Sequence, residues 1–488
     1  MTSVPVSGED GSVGSGPVGP AADGSPVAEV SRVAVPRSIS RRGLLRAAGL
    51  TAAVVPASAA LAACGGGSNT STGARAVRIG FVTPQTGALS NYSSSDIYTI
   101  NAMQASFAKG IRVGDQNHPL EIIYRDSQSD PNSAAIVASD LIFKDNVDIM
   151  LVGGSSATTN PVSDQCEANQ VPCISTAAPW ESWFNGRGGR LGRNFTWTFH
   201  VFWGLDDLAK VYSDMWQLET TDRKIGLLVP NDTDGDTFNS TLPNVISSLN
   251  GFTIPTSVAT RYNDGSADLS RMPAAMAGAG IDILAGVPLV EDFATFWKAS
   301  TLAAGGNAHT FAPKIVTLSR ALLFPNDVLN QLGTSGNGLA TEVGWSPSHP
   351  YRSSITGASP KQLAADYNKT TGQEWVQPLG FTHALFEVVN RALASVHSID
   401  DKASIAKAIG NVRNLNSIVG PLAFGNGGRS TNAVPANVAK TPLVGGQWRT
   451  STQAGASGYS LYITSNREHS DIALTGRYTP LTQIAAGA

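Results

Sequence analysis

Charge is scarce in this chain. Lys, Arg, Asp and Glu make up 15% of its 488 residues and leave a formal net charge of −3, so no basic field is present to hold nucleic acid. Cysteine is scarcer still: the three present are too few for a disulfide framework. Histidine occurs seven times, but no two positions have metal-ligand or base-like spacing, and HExxH, GxSxG and P-loop patterns are missing. Hydrolysis by a paired nucleophile and base therefore has no visible carrier, and no metal or other cofactor is expected. A long apolar run is lacking too. The best candidate, Ala47 to Ala63, is alanine-rich and broken by Gly49 and Pro56, whereas a spanning helix needs about 20 strongly apolar residues.

That weak run has a different use. Arg37, Arg41, Arg42 and Arg46 precede it and Cys64 follows it, the order of an export signal with a positive flank and an apolar middle. Ser40-Arg41-Arg42-Gly43-Leu44-Leu45 resembles a twin-arginine export motif, and Leu61-Ala62-Ala63-Cys64 resembles the lipobox of bacterial lipoproteins. The resemblance implies a leader over residues 1–63 that is removed, a diacylated Cys64 anchored to the outer face of the cytoplasmic membrane, and a flexible glycine-serine tether over 64–75.

About 410 residues remain from Ala76 onward, enough for two domains. Their patterning alternates short apolar, β-branched runs with helix-length segments. Strands are expected at 77–82, 120–126, 147–154 and 172–176, then again at 224–230, 252–258, 281–287 and 313–319, because these runs are almost continuously apolar, as strands covered on both faces are. Helix-spaced apolar residues fall between them. Repeated strand-helix-strand order predicts an α/β fold of two Rossmann-like lobes with parallel sheets. Lobe 1 is expected over 76–203 and lobe 2 over 204–337, followed by a return to lobe 1 over 338–424 and to lobe 2 over 425–449. The repeated crossing makes a multi-strand hinge suited to closing on a ligand. Strands at 418–424 and 440–449 are expected to finish the core, and the tail over 450–488, with one strand-like run at 460–464, stays unassigned.

Ligands of open α/β sheets bind beyond the carboxyl ends of the strands. Three loops there, TPQTGALSNYSSSD (Thr83 to Asp96), GGSSATTNPVSD (Gly153 to Asp164) and STAAPWESW (Ser175 to Trp183), offer hydroxyls and backbone N–H groups ahead of helices, which hold a carboxylate without a full countercharge. Asp232, Asp234 and Asp236 in NDTDGD start like a calcium loop, but its twelfth position is Pro243 instead of glutamate; a turn and helix cap is the expected role. Cys166, late on a helix, and Cys173, opening the next strand, are candidate disulfide partners.

The order of strands, the TG-containing first loop, GGSSATTNPVSD followed by PCISTAAP, and the later IVGPLAF resemble type I periplasmic solute-binding proteins of the branched-chain amino acid ABC transporter family. The resemblance covers nearly all of Val77 to Arg449 and implies a monomeric, non-enzymatic receptor that closes on a small molecule and delivers it to an ABC transporter permease. It places Tyr92 beside the ligand, Ser156 with Ser155 on the ligand carboxylate, and the backbone of Ala177 and Ala178 toward the ligand amine. The family's threonine anchor is Pro179 here, followed by Trp180, and the acidic amine partner is replaced by Ser319 or Arg320. Asp234 stands where an aromatic residue is common. These departures point to an aromatic or acyl acid against a wall of Trp180, Trp183 and Trp203, with Arg320 as countercharge, while Asp234 leaves an amino acid open. A sensory receptor of the same fold and an exported hydrolase are the competing readings.

Overall fold

The run after Ala76 is apolar at almost every position because it becomes an interior strand: β1 (Val77–Thr83) is buried at all but one residue and has parallel neighbours on both sides. The computed structural model describes residues 73–190, 192, 194–249, 251–258, 261–302, 311–425, 434–450 and 458–486. The stretch expected to be an export signal, Cys64 and most of the expected tether lie outside them. Among the described residues no helix is long and apolar enough to cross a membrane.

In the first lobe β1 is followed by α1 (Asp96–Ser106), a hairpin of β2 (Ile111–Val113) and β3 (Gln116–His118), β4 (Leu120–Asp126), α2 (Pro131–Phe143), β5 (Ile149–Val152), α3 (Ser156–Ala168), β6 (Cys173–Thr176), α4 (Trp180–Phe184) and β7 (Thr198–Val201). The second lobe continues with α5 (Leu205–Trp216), β8 (Ile225–Pro230), α6 (Thr233–Ser247), β9 (Arg261–Tyr262), α7 (Met272–Gly278), β10 (Ile283–Gly286), α8 (Val290–Leu302), β11 (Ile315–Leu318), α9 (Pro325–Asp327) and β12 (Ala340–Val343). The rest comprises α10 (Pro360–Thr371), α11 (Pro378–Leu393), α12 (Lys402–Gly410), β13 (Leu415–Ser417), β14 (Gly420–Leu422), β15 (Val438–Ala439), β16 (Val444–Thr450), β17 (Tyr459–Ser465) and α13 (Leu481–Ala486).

Two sheets result, ordered β15-β7-β6-β5-β1-β4 and β17-β16-β12-β11-β10-β8-β9. The first is parallel throughout; in the second, β16 and β17 join antiparallel. This is the expected α/β architecture of two lobes, with some boundaries moved. β12 pairs within the second sheet, so the return expected at 338 follows Val343 instead. β15 pairs with β7, so the crossing expected at 425 follows Ala439. The unassigned tail supplies β17, the outer strand of the second sheet.

Two expected strands are corrected. Residues 252–258 give one bridge, Thr253 to Lys224, and then a 3-10 turn, since Pro255 has no N–H for a ladder. Residues 418–424 contribute to the separate hairpin β13–β14, where Gly420 turns at φ 120°. The late helices return to the first lobe as expected: α11 is buried along nearly its whole length and packs on α1 and β6, consistent with its apolar residues on every side.

Three crossings therefore join the lobes, and side chains tie them together. Gln377 accepts from Gly344 N at 2.8 Å and donates to the Glu342 carbonyl at 3.0 Å, bracing the second crossing. Lys440, on the third, pairs with Asp206 at 3.0 Å and Asp207 at 2.7 Å, which open α5 just past the first. Glu181 of α4 accepts from Leu205 N at 2.8 Å, so a carboxylate of one lobe caps the first helix of the other.

Candidate functional site

The carboxyl ends of both parallel sheets face each other, and a cavity of about 30 Å³ lies between them, room for about one water. Tyr92, Ala177, Asp234, Ser319 and Arg320 line it, each on a loop or helix start that follows a strand. Pro179, Phe202, Trp203, Leu205, Val287 and Leu323 complete the wall. The last five follow β7, β10 and β11. Except for Trp203 they were not singled out in the sequence, although the strand-end rule applies to FHVFW once β7 is recognised behind its glycine- and arginine-rich loop.

The cleft is closed by direct contacts between the lobes. Ser156, the first residue of α3, donates its hydroxyl to Asp234 Oδ1 at 2.7 Å. Asn91 donates to Asp327 Oδ2 at 2.5 Å, and the Tyr92 ring meets Phe324 edge-on at 5.1 Å. Asp234 is buried in the first turn of α6. Its neighbour Asp232 caps that helix, accepting from Gly235 N at 2.7 Å, which is the cap role expected for this loop in place of calcium binding. Among the described residues no cluster of His, Cys, Asp and Glu is arranged to hold a metal.

Arg320 does not present a free charge. It donates to Asp232 Oδ2 at 2.6 Å and to the Val287 carbonyl at 3.3 Å. Burial opposes its charge, but Asp232 and Asp234 outweigh that and hold it protonated. Asp234 is the second carboxylate beside a single guanidinium. Its pKa is raised, first by burial and also by Asp232, against the opposing effects of Arg320 and the Ser156 hydroxyl. Behind Ser319 lies an acidic residue that sequence reasoning missed: Glu342, fully buried, accepts from Ser319 at 2.5 Å and from Tyr212 at 2.7 Å. It sits inside β12, a four-residue buried strand (ATEV) whose local sequence gives no hint of function.

Ala177 and Arg320 share an unusual backbone. Both adopt left-handed conformations, φ 69° and 61°, uncommon for residues with a side chain. They occupy equivalent places, just past β6 and β11, one in each lobe.

The remaining candidates fall outside the cavity. Ser155 caps α3 and accepts from Ala157 N. The Ala178 carbonyl accepts from His200 Nε2 at 2.7 Å and so points into the lobe. Trp180 packs over Gly204 at the first crossing and tilts against Phe184, so it does not form the expected stacking wall. Trp183 is core, stacked on His200 at 4.9 Å with its N–H on Ser163. Trp203 alone of the three faces the cavity. Cys166 and Cys173 lie on α3 and β6 as expected, but both are buried free thiols, with burial and mutual proximity pushing the Cys166 thiol up.

A comparison with curated proteins found no match. Solved structures supply many. A leucine binding protein from Thermotoga maritima aligns with TM-score 0.61 at 16% identity, covering 80% of this chain and 99% of that one. The branched-chain amino acid transporter substrate binding protein of Streptococcus pneumoniae, solved with isoleucine, aligns with TM-score 0.62 at 12% identity over 80% and 99%. A Rhodopseudomonas palustris solute binding protein of an ABC transporter, solved with 3,4-dihydroxybenzoic acid, aligns with TM-score 0.57 at 17% identity over 80% and 96%. At these identities the likeness establishes the fold. The family model described as periplasmic binding protein matches residues 76–441, an interval that takes in the first sheet, all of the second but β16 and β17, and every residue of the cavity: the chain belongs to the periplasmic binding protein family.

Proposed function

We propose that this protein captures a small carboxylate between its lobes and delivers it to an ABC importer, held near the membrane by a lipid on Cys64, and that it catalyses no reaction. The observation that carries the ligand class is the Ser156–Asp234 hydrogen bond at 2.7 Å. A carboxylate already sits at the first turn of α3, where backbone N–H groups and the helix dipole favour negative charge. On opening, Asp234 leaves with its lobe and a ligand carboxylate takes that position. Phe202, Trp203 and Leu323 supply the apolar wall for an acyl chain or ring.

A second reading follows from the surplus carboxylate. With Arg320 paired to Asp232, Asp234 is available to meet an amine, which makes an α-amino acid the ligand. The solved proteins that carry isoleucine and 3,4-dihydroxybenzoic acid illustrate that this fold accommodates both chemistries. Calorimetric titration of leucine and phenylalanine beside their deaminated acids separates the readings. Ser156→Ala should weaken whichever binds by roughly ten- to a hundredfold, the loss of about 1.5 to 3 kcal/mol from a hydrogen bond to a charged group. Unchanged affinity in that variant would remove the carboxylate from α3, and detectable turnover of a bound solute would remove the transport reading.

A further inference from the structure

A groove elsewhere on the molecule shares no lining residue with the cleft. It has a volume of about 770 Å³ and runs between the end of α11 and α12 in the first lobe. Arg391, Lys407 and Arg413 line it with His397, and Asp401 is the only carboxylate among them. All five are exposed. Asp401 is committed to capping α12 through Ser404. Among the described residues Arg391, Lys407 and Arg413 have no ion pair; Arg413 donates to backbone carbonyls of Gly410 and Val412. Three cations thus converge on one concave surface of a chain whose overall charge is −3.

The place where the chain enters the fold lies beside this groove. Arg75 clamps Asp148 through two bonds of 2.9 Å and reaches Asp400 at 2.6 Å. Asp400 stands between Ser398 and Asp401, which both line the groove. On the reading that Cys64 is lipidated, the 11 residue steps from Cys64 to Arg75 span at most about 40 Å, so Arg75, beside the groove, stays within that distance of the membrane surface.

We infer that the groove of Arg391, Lys407 and Arg413 beside the tether entry binds the phosphate groups of anionic phospholipids and seats the first lobe on the membrane. The chemistry is that of phosphate oxygens meeting guanidinium and ammonium donors, and attraction must be local because the protein as a whole is acidic. β1 leaves the tether entry at Val77 and ends at Thr83, whose loop leads into the cleft. A receptor seated this way holds its cleft away from the bilayer, open to solute, and must release the groove before meeting a permease.

Vesicle flotation tests this with the chain from position 64 carrying Cys64→Ser, so that no acyl group contributes. The protein should float with vesicles of mixed phosphatidylglycerol and phosphatidylcholine and not with phosphatidylcholine alone, and salt raised from about 50 to about 500 mM should release it. Each of Arg391→Gln, Lys407→Gln and Arg413→Gln should weaken binding about fivefold, and the triple variant about a hundredfold, with melting temperature unchanged. The single variants serve if the triple variant unfolds. Binding to both vesicle types alike, or binding that survives all three substitutions, overturns the proposal. So does displacement by millimolar inorganic phosphate with a matching rise in melting temperature, which would make the groove a site for a soluble anion.

Discussion

Asp234→Asn is the substitution that asks most of the site. The wild-type carboxylate accepts the Ser156 hydroxyl at 2.7 Å, a hydrogen bond to a charged group worth about 1.5 to 3 kcal/mol, against about 0.5 to 1.5 for a neutral pair. Asparagine keeps the shape and an acceptor but loses the charge. The closed, ligand-free contact is then weaker by about 1 to 1.5 kcal/mol. A simple acid, which must displace Asp234 from α3, should bind five- to tenfold more tightly. An α-amino acid that uses Asp234 as its amine partner should lose about 1.5 to 3 kcal/mol and bind ten- to a hundredfold more weakly. The two readings thus predict effects of opposite sign from one change. Titrating 4-methylpentanoate and leucine into both proteins by calorimetry reads them directly. If both affinities stay within about twofold of wild type, Asp234 does not face the ligand, and the argument from Ser156 fails with it.

The hinge gives two further expectations. Lys440→Met leaves Asp206 and Asp207 without their cation, and denaturant melts should show a loss of about 1.5 to 3 kcal/mol, that of a hydrogen bond between charged groups in a partly buried site; a loss below about 1 kcal/mol would mean the cluster is solvated. Burial first, then the neighbouring Asp206, raise Glu181 from 4.5 to about 8. Between those values the folded protein holds more protons than the unfolded chain, so this group's contribution falls as pH rises from about 4.5 to 8. Glu181→Gln should flatten that part of the melting profile relative to wild type, and an identical slope in both proteins would refute the assignment. At the other end of the chain, Cys64→Ala should yield a mature protein without the mass of two acyl chains, released from membranes by carbonate; equal retention of both forms would count against the anchor.

The sheets were legible because parallel strands buried on both faces cannot hide: VRIGFV and IDILAGV have no other use for so many apolar residues in a row. What was lost lay where local chemistry outweighs composition. TFHV, which became β7, carries a histidine and follows a long loop, and its His200 is needed to hold the Ala178 carbonyl at 2.7 Å. α5 begins with Leu205, Asp206 and Asp207, a helix start marked by acidic residues in its first turn and by no strong apolar periodicity before it. In the site, residues whose backbones follow strand ends were legible, whereas side-chain direction was not. Trp180 and Trp183 share the loop of Ala177, but the turn of α4 sends one onto Gly204 and the other into the core. Glu342 was invisible for a different reason: a buried carboxylate is identified by its partners, Ser319 and Tyr212, and these lie far from it in sequence.

Ala177 and Arg320 extend this from side chains to the backbone. A left-handed residue with a Cβ costs about 1 to 2 kcal/mol, yet both loops keep one where glycine would relieve it. The surrounding structure must hold the conformation, and such residues cluster where a peptide has to be aimed. At Ala177, φ 69°, replacement by glycine removes the steric term but adds about 0.4 to 1 kcal/mol of unfolded-chain entropy. Ala177→Gly should therefore stabilise the protein by up to about 1 kcal/mol. Ligand binding should move the other way: with the Cβ gone the peptide after β6 is free to rotate, and ordering it on binding costs about 1 kcal/mol, a roughly fivefold loss. Thermal melts and calorimetry on the same preparation give both quantities. Stability that falls by more than about 1 kcal/mol would show that the methyl group's packing outweighs its strain, and the left-handed turn would then be a feature of the core, with no claim on the ligand.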